Sequence, residues 1–262
     1  MANPMTAVFH RDVLIDGSLH LDGLESQTSD AESRYLRFVT DHGASTERFG
    51  NLLAPLGVKY VLVAKTTDWA RYRWLAHQSD LRLVRSWPDL ELYENLEPVA
   101  DAYAPARSIQ VPDWGAVMAL AENTTLSDVA ITVDHAAPGP IRSPGRTLPM
   151  EAPSGNLPVQ HESQVELDVT SPRGSWLTLA EPFDPAWRLD GREPVANLGV
   201  TTMFSGPFPT GTAHVTYSRW PVVRDSYLMS GAIVLLVLIA LIVLTPIMNA
   251  RFRTLFALRS SK

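Results

Sequence analysis

The sequence predicts an α+β fold: a small α/β domain, then an antiparallel, jelly-roll-like β-sandwich, and finally one C-terminal transmembrane helix. Three observations lead to this prediction. In the first hundred residues, apolar positions recur at helical spacing around one dense run of β-branched residues. The second half alternates short apolar runs with turn residues, as antiparallel sandwiches do. No charged residue then occurs from Ser226 to Ala250.

The predicted domain boundaries follow these patterns. Residues 1–105 form the α/β domain, residues 106–128 a connecting segment with a short helix, and residues 129–222 the sandwich. Residues 227–248 form the transmembrane helix, and residues 249–262 a basic cytoplasmic tail. With 262 residues, of which 45% are hydrophobic, the chain can build ordinary hydrophobic cores.

Two short helices open the predicted α/β domain. Ser29 and Glu32 have capping-box spacing, and an apolar stripe from Tyr35 to Val39 then predicts a helix that ends near Gly43. Thr46–Leu53 predicts the second helix, which the proline and glycine that follow would stop.

A strand, a helix and a hairpin complete this domain. The run KYVLVA, Lys59–Ala64, predicts a buried strand because it is rich in β-branched residues. Asp68 can cap a third helix. Leu81–Trp87 and Leu90–Asn95 read as two strands joined by a turn at Pro88-Asp89.

The second half is predicted to be strand and turn after one helix. Pro112 favours a helix start before WGAVMALAE. The segment Pro138–Pro158 contains six prolines, which predicts an exposed loop rather than a central strand. The predicted sandwich strands are AITVD, QVELDVT, SWLTLA, AWRLD, VTTMF and TAHVTYS.

The charge-free segment predicts how the chain meets a membrane. The 22 residues Tyr227–Met248 make about 33 Å of helix at about 1.5 Å per residue, which spans a hydrocarbon core of about 30 Å. Arg251 and Arg253 follow directly, and the positive-inside rule places them in the cytoplasm. Residues 1–225 would then lie outside the cytoplasm, as the bulk of a single-pass membrane protein.

The N-terminal residues leave two topologies open. They contain no basic segment followed by an apolar run, as a secretory signal requires. Either the chain is the C-terminal piece of a longer polytopic membrane protein, or it is a tail-anchored protein that faces the cytosol. The basic tail favours the first.

Charge and composition exclude several classes of function. Residues 1–225 carry 18 basic and 28 acidic side chains, whereas the last 37 residues carry four basic side chains and no acidic one. An acidic domain does not suit nucleic acid as a partner. The chain has no cysteine, which excludes thiol catalysis, disulfides and cysteine-type zinc sites. Its seven histidines lack metal-site spacing, and it has neither a GxGxxG motif nor a Walker loop, so we expect no metal and no cofactor.

Four segments resemble a known group of membrane proteins. They are NLLAPLGVKYVLV, DLELYEN, EPFDPAWRLDG and PTGTAHVTYSRWP. Together they resemble the C-terminal extracytoplasmic region of bacterial YfhO-type proteins. These belong with the GT-C glycosyltransferase-like proteins that use polyprenyl-linked sugars, and they are related to actinobacterial arabinofuranosyltransferases. The resemblance covers roughly Leu52 to Tyr227. It implies a place in the bacterial inner membrane and a role in an envelope-glycan system, while the catalytic acid of such proteins lies in an outer loop near their first membrane helices.

The predicted function is therefore a membrane-anchored module that binds or positions carbohydrate without catalysing a reaction itself. Its expected partners are the membrane, an envelope glycan or polyprenyl-linked sugar, and a polytopic membrane protein. Two alternatives stay open. One is a fragment of a glycosyltransferase or glycosidase, which would need a pair of carboxylates across a glycosidic bond. The other is a purely structural subunit of a membrane complex.

Trp176, Trp187 and Asp184 are the candidate carbohydrate contacts, and no catalytic residue stands out. A tryptophan flanked by acids is typical of sugar sites, but a local interpretation competes with it. Asp184 belongs to an Asp-Pro turn, and Asp190-Gly191 is a type I′ turn signal. Trp187 is then either a core residue beside a hairpin or a surface on which a sugar stacks.

Overall fold

The computed structural model confirms the α+β class, with helices beside mainly antiparallel sheets. The described residues up to Thr216 belong to one compact unit, and those from Tyr217 onward belong to a second. The residues that the structure describes are 30–65, 69–141, 155–162, 166–172, 176–208, 210–219, 225–226 and 228–236.

Three α-helices lie in the described part of the first half of the chain. Helix α1, Asp30–His42, buries the predicted apolar stripe, whereas the predicted cap Ser29 lies outside the described residues. Helix α2, Phe49–Leu53, is shorter than predicted and starts three residues later. Helix α3, Trp114–Ala121, begins at Asp113, whose Oδ1 accepts a hydrogen bond from the Ala116 N–H at 3.0 Å.

A three-stranded antiparallel sheet contains the predicted strand and hairpin. It consists of β1 (Tyr60–Ala64), β2 (Leu81–Ser86) and β3 (Leu90–Asn95) in the order β1-β3-β2. The prediction that the first strand is buried is wrong, because β1 lies at the edge of the sheet and only Val63 among its five residues is buried. Between β1 and β2 the chain forms a 3₁₀-helix, Trp69–His77, where a third helix was predicted. The predicted cap of that helix, Asp68, lies outside the described residues.

The first hydrophobic core joins this sheet to the helices and to a parallel strand pair. The pair consists of β5, Arg107–Val111, and β6, Val129–Val133. Helix α3 connects the two strands, as parallel pairing requires a crossover. We call this core the helical core. Among its fully buried large side chains are Tyr35, Leu52, Trp114, Leu126 and Ile131.

Two further antiparallel sheets face each other as a sandwich. The five-stranded sheet has the order β12-β13-β10-β4-β7, and the four-stranded sheet has the order β11-β14-β9-β8. The strands of the first are β4 (Ala102–Ala104), β7 (Gly155–Asn156), β10 (Trp176–Pro182), β12 (Val195–Asn197) and β13 (Thr201–Ser205). Those of the second are β8 (Val159–Glu162), β9 (Glu166–Thr170), β11 (Trp187–Leu189) and β14 (Thr212–Tyr217).

The sandwich core lies between these two sheets. Leu177, Leu179 and Phe204 come from the five-stranded sheet, while Val169 and Val215 come from the four-stranded sheet. Each of them is at most 1% exposed. The period of two along each strand explains this arrangement, since every second side chain faces the partner sheet.

The two cores do not follow the predicted domain boundaries. Strand β4 falls within the predicted α/β domain, residues 1–105, but pairs with β10 in the sandwich. Strand β6 was predicted to open the sandwich, but it contributes to the helical core. Leu198 and Val200, well inside the predicted sandwich, also belong to the helical core. The segments that build the helical core and the sandwich core therefore alternate along the chain.

The predicted transmembrane helix stays a prediction. Residues 228–236 are helical, and apolar side chains such as Leu228 and Leu236 are exposed there. Among the described residues, no helix has the length and apolar character that crossing a membrane requires. Residues 237–248 of the predicted span and the predicted tail, residues 249–262, lie outside the described residues, as does most of the predicted proline-rich loop.

Buried polar side chains hold helix α2 against the three-stranded sheet. The Phe49 N–H donates to Oε1 of Gln78 at 2.8 Å, and the Asn51 N–H donates to Oδ2 of Asp80 at 2.6 Å. Asn95 Nδ2 donates to the Gly50 carbonyl at 2.9 Å. The first two contacts satisfy backbone N–H groups at the helix start that would otherwise be buried without partners. The third adds a second donor to the Gly50 carbonyl, which also accepts from the Ala54 N–H.

Asp80 is the ionisable group in this network, and its side chain is almost completely inaccessible to water. Burial raises the pKa of the Asp80 carboxyl above its ordinary value, although backbone hydrogen bonds from Asn51 and Gly50 partly oppose this. Within the described part of the chain, its Oδ1 atom has no hydrogen-bond partner. The charged carboxylate is thus less well accommodated than the neutral acid.

The stability of the folded chain should therefore carry a pH dependence that originates at Asp80. A raised pKa means that the protonated form stabilises the folded state. This stabilisation is complete below the ordinary pKa of 3.8 and is lost as the pH rises through the higher folded-state value. We expect Asp80→Asn to remove this decline from the free energy of unfolding, measured by urea titration at a series of pH values.

Asp190→Asn is the matched control for this substitution. Asp190 is exposed and has a φ of 46°, a conformation that asparagine also tolerates. The control should keep the wild-type pH profile. Identical profiles for Asp80→Asn and Asp190→Asn would show that Asp80 does not titrate as its burial implies.

Candidate functional site

The candidate carbohydrate contacts predicted from the sequence lie on different parts of the sandwich. Trp176 is half-buried at the start of β10, in the five-stranded sheet. It alternates with Leu177, so it lies on the face of that sheet opposite the sandwich core. Trp187 lies in the four-stranded sheet and packs against the sandwich core. The structure therefore does not combine the two tryptophans on one sheet face.

The turns around Trp187 have the local roles that the sequence predicts. Asp184 Oδ1 accepts from the Ala186 N–H at 2.7 Å, and the Asp184 carbonyl accepts from the Trp187 N–H at 3.2 Å. Asp190 and Gly191 have φ angles of 46° and 82°, which confirms the two-residue turn. An antiparallel bridge between Leu189 and Arg192 closes the turn as a tight hairpin, as predicted, although β11 and β12 themselves pair in different sheets.

The outer face of the four-stranded sheet carries a denser polar arrangement. In β14, Ala213 and Val215 point into the sandwich core, and His214 lies exposed between them. In β9, Leu167 and Val169 point inward, so Asp168 faces outward. Strand pairing places His214 directly opposite Asp168 and Thr212 directly opposite Thr170. The alternation of TAHVTYS indicates the outward position of His214 but not its carboxylate partner.

Hydrogen bonds connect these side chains across three strands. His214 Nδ1 lies 2.6 Å from Asp168 Oδ1. Gln160, on β8, contacts both threonines of the pair beside them. Its Nε2 donates to Thr170 Oγ1 at 3.4 Å, and its Oε1 accepts from Thr212 Oγ1 at 3.2 Å. We call Gln160, Asp168, Thr170, Thr212 and His214 the polar face.

The polar face is accessible and offers both donors and acceptors. The side chains of His214 and Asp168 are 61% and 31% exposed. A carboxylate, an imidazole, an amide and two hydroxyls can each exchange an internal hydrogen bond for one to a ligand hydroxyl group. The sheet beneath them fixes their spacing, so a polyhydroxylated ligand would meet a preorganised surface.

Arg188 extends the polar character of this sheet at its far edge. It alternates with the inward-facing Leu189 on β11 and is half-buried. One guanidinium nitrogen donates to the Trp187 carbonyl at 2.8 Å, and another lies 3.5 Å from Glu193. Most of its donors are thus engaged within the hairpin, which makes it a weaker candidate for ligand contact than the five side chains of the polar face.

The polar face could not be identified from sequence spacing. Its members come from positions 160, 168, 170, 212 and 214, and only strand pairing brings them together. The alternation of TAHVTYS and of ELDVT was the available signal for outward positions. Without the pairing register, each residue reads as an ordinary solvated strand position.

Catalytic and metal chemistry receive little support from this arrangement. Glu166 and Asp168 are outward-facing carboxylates two positions apart on β9, but they lie on an open sheet face rather than in a cleft. Glycosidases hold their two carboxyl groups across an enclosed bond. Among the described residues, no three side chains of the metal-ligating types are grouped as a metal site.

Comparison with known proteins leaves the family undetermined. No protein-family model, curated protein or solved structure matches the chain. The resemblance of its four sequence segments to YfhO-type and GT-C proteins therefore stays a prediction.

Proposed function

We propose that the chain is a non-catalytic carbohydrate-binding module of a bacterial envelope-glycan system, and that the polar face is its contact surface. One observation carries the proposal: five accessible polar side chains from three adjacent strands form two neighbouring hydrogen-bonded groups on one sheet face. Sugar hydroxyls donate and accept hydrogen bonds, as these side chains do. The residues therefore match the chemistry of a glycan better than that of an apolar ligand.

The cellular setting is proposed from the sequence. An apolar segment at residues 227–248 and the basic residues after it would anchor the module, with residues 1–225 on the outer side. The resemblance to GT-C-like proteins would place a polytopic membrane partner and a polyprenyl-linked sugar beside it. In this setting the module would position a growing glycan near the membrane.

Asp168→Asn should weaken glycan binding by about tenfold or more, because hydrogen bonds to a charged acceptor are the stronger ones. The measurement is isothermal titration of the full chain, in detergent, with arabinofuranose oligosaccharides and, separately, with hexose oligosaccharides. Gln160→Ala should give a smaller loss, since it removes a neutral partner. Both variants should keep the wild-type melting temperature because the residues are surface-exposed.

Gln110→Ala is the matched control. Gln110 is also an exposed strand amide whose Nε2 donates to a carboxylate, that of Asp134, but it belongs to the β5–β6 pair. The Gln110→Ala variant should bind glycan with the affinity of the wild type. Equal affinities for Asp168→Asn, Gln160→Ala and Gln110→Ala would reject the polar face as the contact surface. Sugar turnover abolished by Asp168→Asn would instead favour the glycosidase alternative.

A further inference from the structure

A second surface, on the three-stranded sheet, has a different chemistry. Its inner face packs Val63 and Tyr93 into the helical core. On its outer face Tyr60 and Leu62 of β1 are 50% and 41% exposed, and Val84 of β2 is 50% exposed. Large apolar side chains grouped on an accessible sheet face are uncommon unless something binds there.

Strand register brings these apolar residues beside one another. Leu62 lies opposite Leu92 on β3, and Leu92 lies opposite Arg85 on β2. A bulge between Leu83 and Arg85 places Val84 at the same level. We call Tyr60, Leu62, Leu92, Val84 and Arg85 the outer sheet face.

Basic side chains and aromatic rings border this face. The Nζ atom of Lys59 lies 5.5 Å from the centre of the Tyr60 ring, and the Arg85 guanidinium lies 4.9 Å from that of Trp87. Three further cation–aromatic pairs, at Trp69 and Tyr72, lie in the segment that joins β1 and β2. Such pairs keep a cation accessible while its aliphatic stem and the ring present apolar surface.

The charge of this region is opposite to that of its surroundings. Residues 58–95, which hold all three strands of the sheet, contain six basic and five acidic side chains, whereas the rest of residues 1–225 contains 12 basic and 23 acidic ones. Glu94 lies on the outer face, opposite Tyr60. Arg82 is paired with Glu94 across β2 and β3, and Lys65 is paired with Glu91. Lys59 and Arg85 are exposed and lie over aromatic rings, so their charges face outward.

We infer that the outer sheet face docks onto an anionic lipid bilayer. Its apolar side chains suit the boundary between headgroups and acyl chains, and tyrosine and tryptophan rings favour that interface. Lys59 and Arg85 would contact lipid phosphates. An anionic bilayer repels the acidic remainder of the domain, which leaves this basic face as the one that can approach. Docking would fix the orientation of the domain on the membrane.

The absence of cysteine makes a direct test straightforward. Leu62→Cys introduces a single thiol on the outer sheet face, and Val195→Cys introduces one on β12, where Val195 is 42% exposed. Each full-length variant carries one nitroxide spin label and is reconstituted in phosphatidylcholine vesicles with or without phosphatidylglycerol. Electron paramagnetic resonance then measures how accessible the label is to two collision partners. One is oxygen, which enters lipid, and the other is a water-soluble nickel chelate.

We expect the Leu62 label to be reached by oxygen and shielded from the nickel chelate in the anionic vesicles at low salt. The Val195 label should stay accessible to the chelate. Raising the salt to about 1 M should restore access of the chelate to the Leu62 label. The Debye length is then about 3 Å, so salt screens the attraction between the basic side chains and the lipid phosphates. In the labelled Leu62→Cys background, Lys59→Gln and Arg85→Gln should each lower the ratio of docked to undocked chains by about fivefold. Arg85→Lys should preserve the ratio.

Three results would overturn the inference. The first is equal chelate access for the Leu62 and Val195 labels in anionic vesicles at low salt. The second is shielding of the Leu62 label that is the same in neutral and anionic vesicles and insensitive to salt. The third is shielding that develops in detergent with increasing protein concentration, which would identify a second copy of the chain as the occupant. None of these measurements depends on glycan binding.

Discussion

Trp114→Ala should lower the free energy of unfolding by about 3–5 kcal/mol, the usual range for deleting a large buried aromatic side chain. Trp114 is fully buried in the helical core. Its ring meets Tyr35 edge to face at 5.5 Å and lies 6.1 Å from the Phe38 ring. Its Nε1–H donates to the Leu198 carbonyl at 2.9 Å. The measurement is chemical denaturation followed by circular dichroism.

Trp114→Phe separates packing from hydrogen bonding. It keeps most of the aromatic volume but leaves the Leu198 carbonyl without its donor, so we expect a smaller loss of about 1–3 kcal/mol. If alanine costs no more than phenylalanine, the ring does not provide the packing that its burial implies.

Asn51→Ala should destabilise the fold by about 3–5 kcal/mol, because the buried Thr124 carbonyl and Leu126 N–H lose their side-chain partner at about 1–3 kcal/mol each. The Ala121 carbonyl also loses a donor but keeps its hydrogen bond from Arg48. Asn51 is completely buried and satisfies three distant groups. Its Nδ2 donates to the carbonyls of Ala121 and Thr124 at 2.9 and 2.7 Å, and its Oδ1 accepts from the Leu126 N–H at 2.8 Å. Thermal and urea unfolding both report this loss.

Asn156→Ala is the control for the loss of an asparagine side chain. Asn156 is exposed and accepts one hydrogen bond, from the Ala100 N–H at 2.9 Å. Its replacement should cost about 0.5–1.5 kcal/mol, the net value of one ordinary hydrogen bond. Similar losses for the two asparagine variants would contradict the role assigned to Asn51.

Local patterns in the sequence predict local elements well. The apolar stripe of α1, the β-branched run of β1 and the hairpin of β2 and β3 all follow from residue spacing. The Asp190-Gly191 turn follows from the left-handed conformation that aspartate and glycine tolerate. Each depends on neighbours within a few positions, which is the range that a single sequence exposes.

Contacts between distant parts of the chain could not be read in this way. Asn51 reads as an ordinary polar residue of a short helix, yet its side-chain partners lie 70 to 75 positions away. The parallel pairing of β5 with β6 is equally hidden, since both runs also fit an antiparallel sheet. The polar face depends on the same kind of information, because Gln160 and Thr212 are 52 positions apart.

Interleaving of the two cores has a consequence for how the chain reaches its native state. The helical core is incomplete until Leu198 and Val200 have been synthesised, although its helix α1 begins at Asp30. The sandwich core includes Ala102, which is synthesised early, and Ala213 and Val215, which lie near the C-terminal end of the compact unit. During synthesis neither core can therefore close until nearly all of the compact unit has left the ribosome. Apolar side chains of the first half therefore stay partly exposed until the residues that complete the two cores have been synthesised.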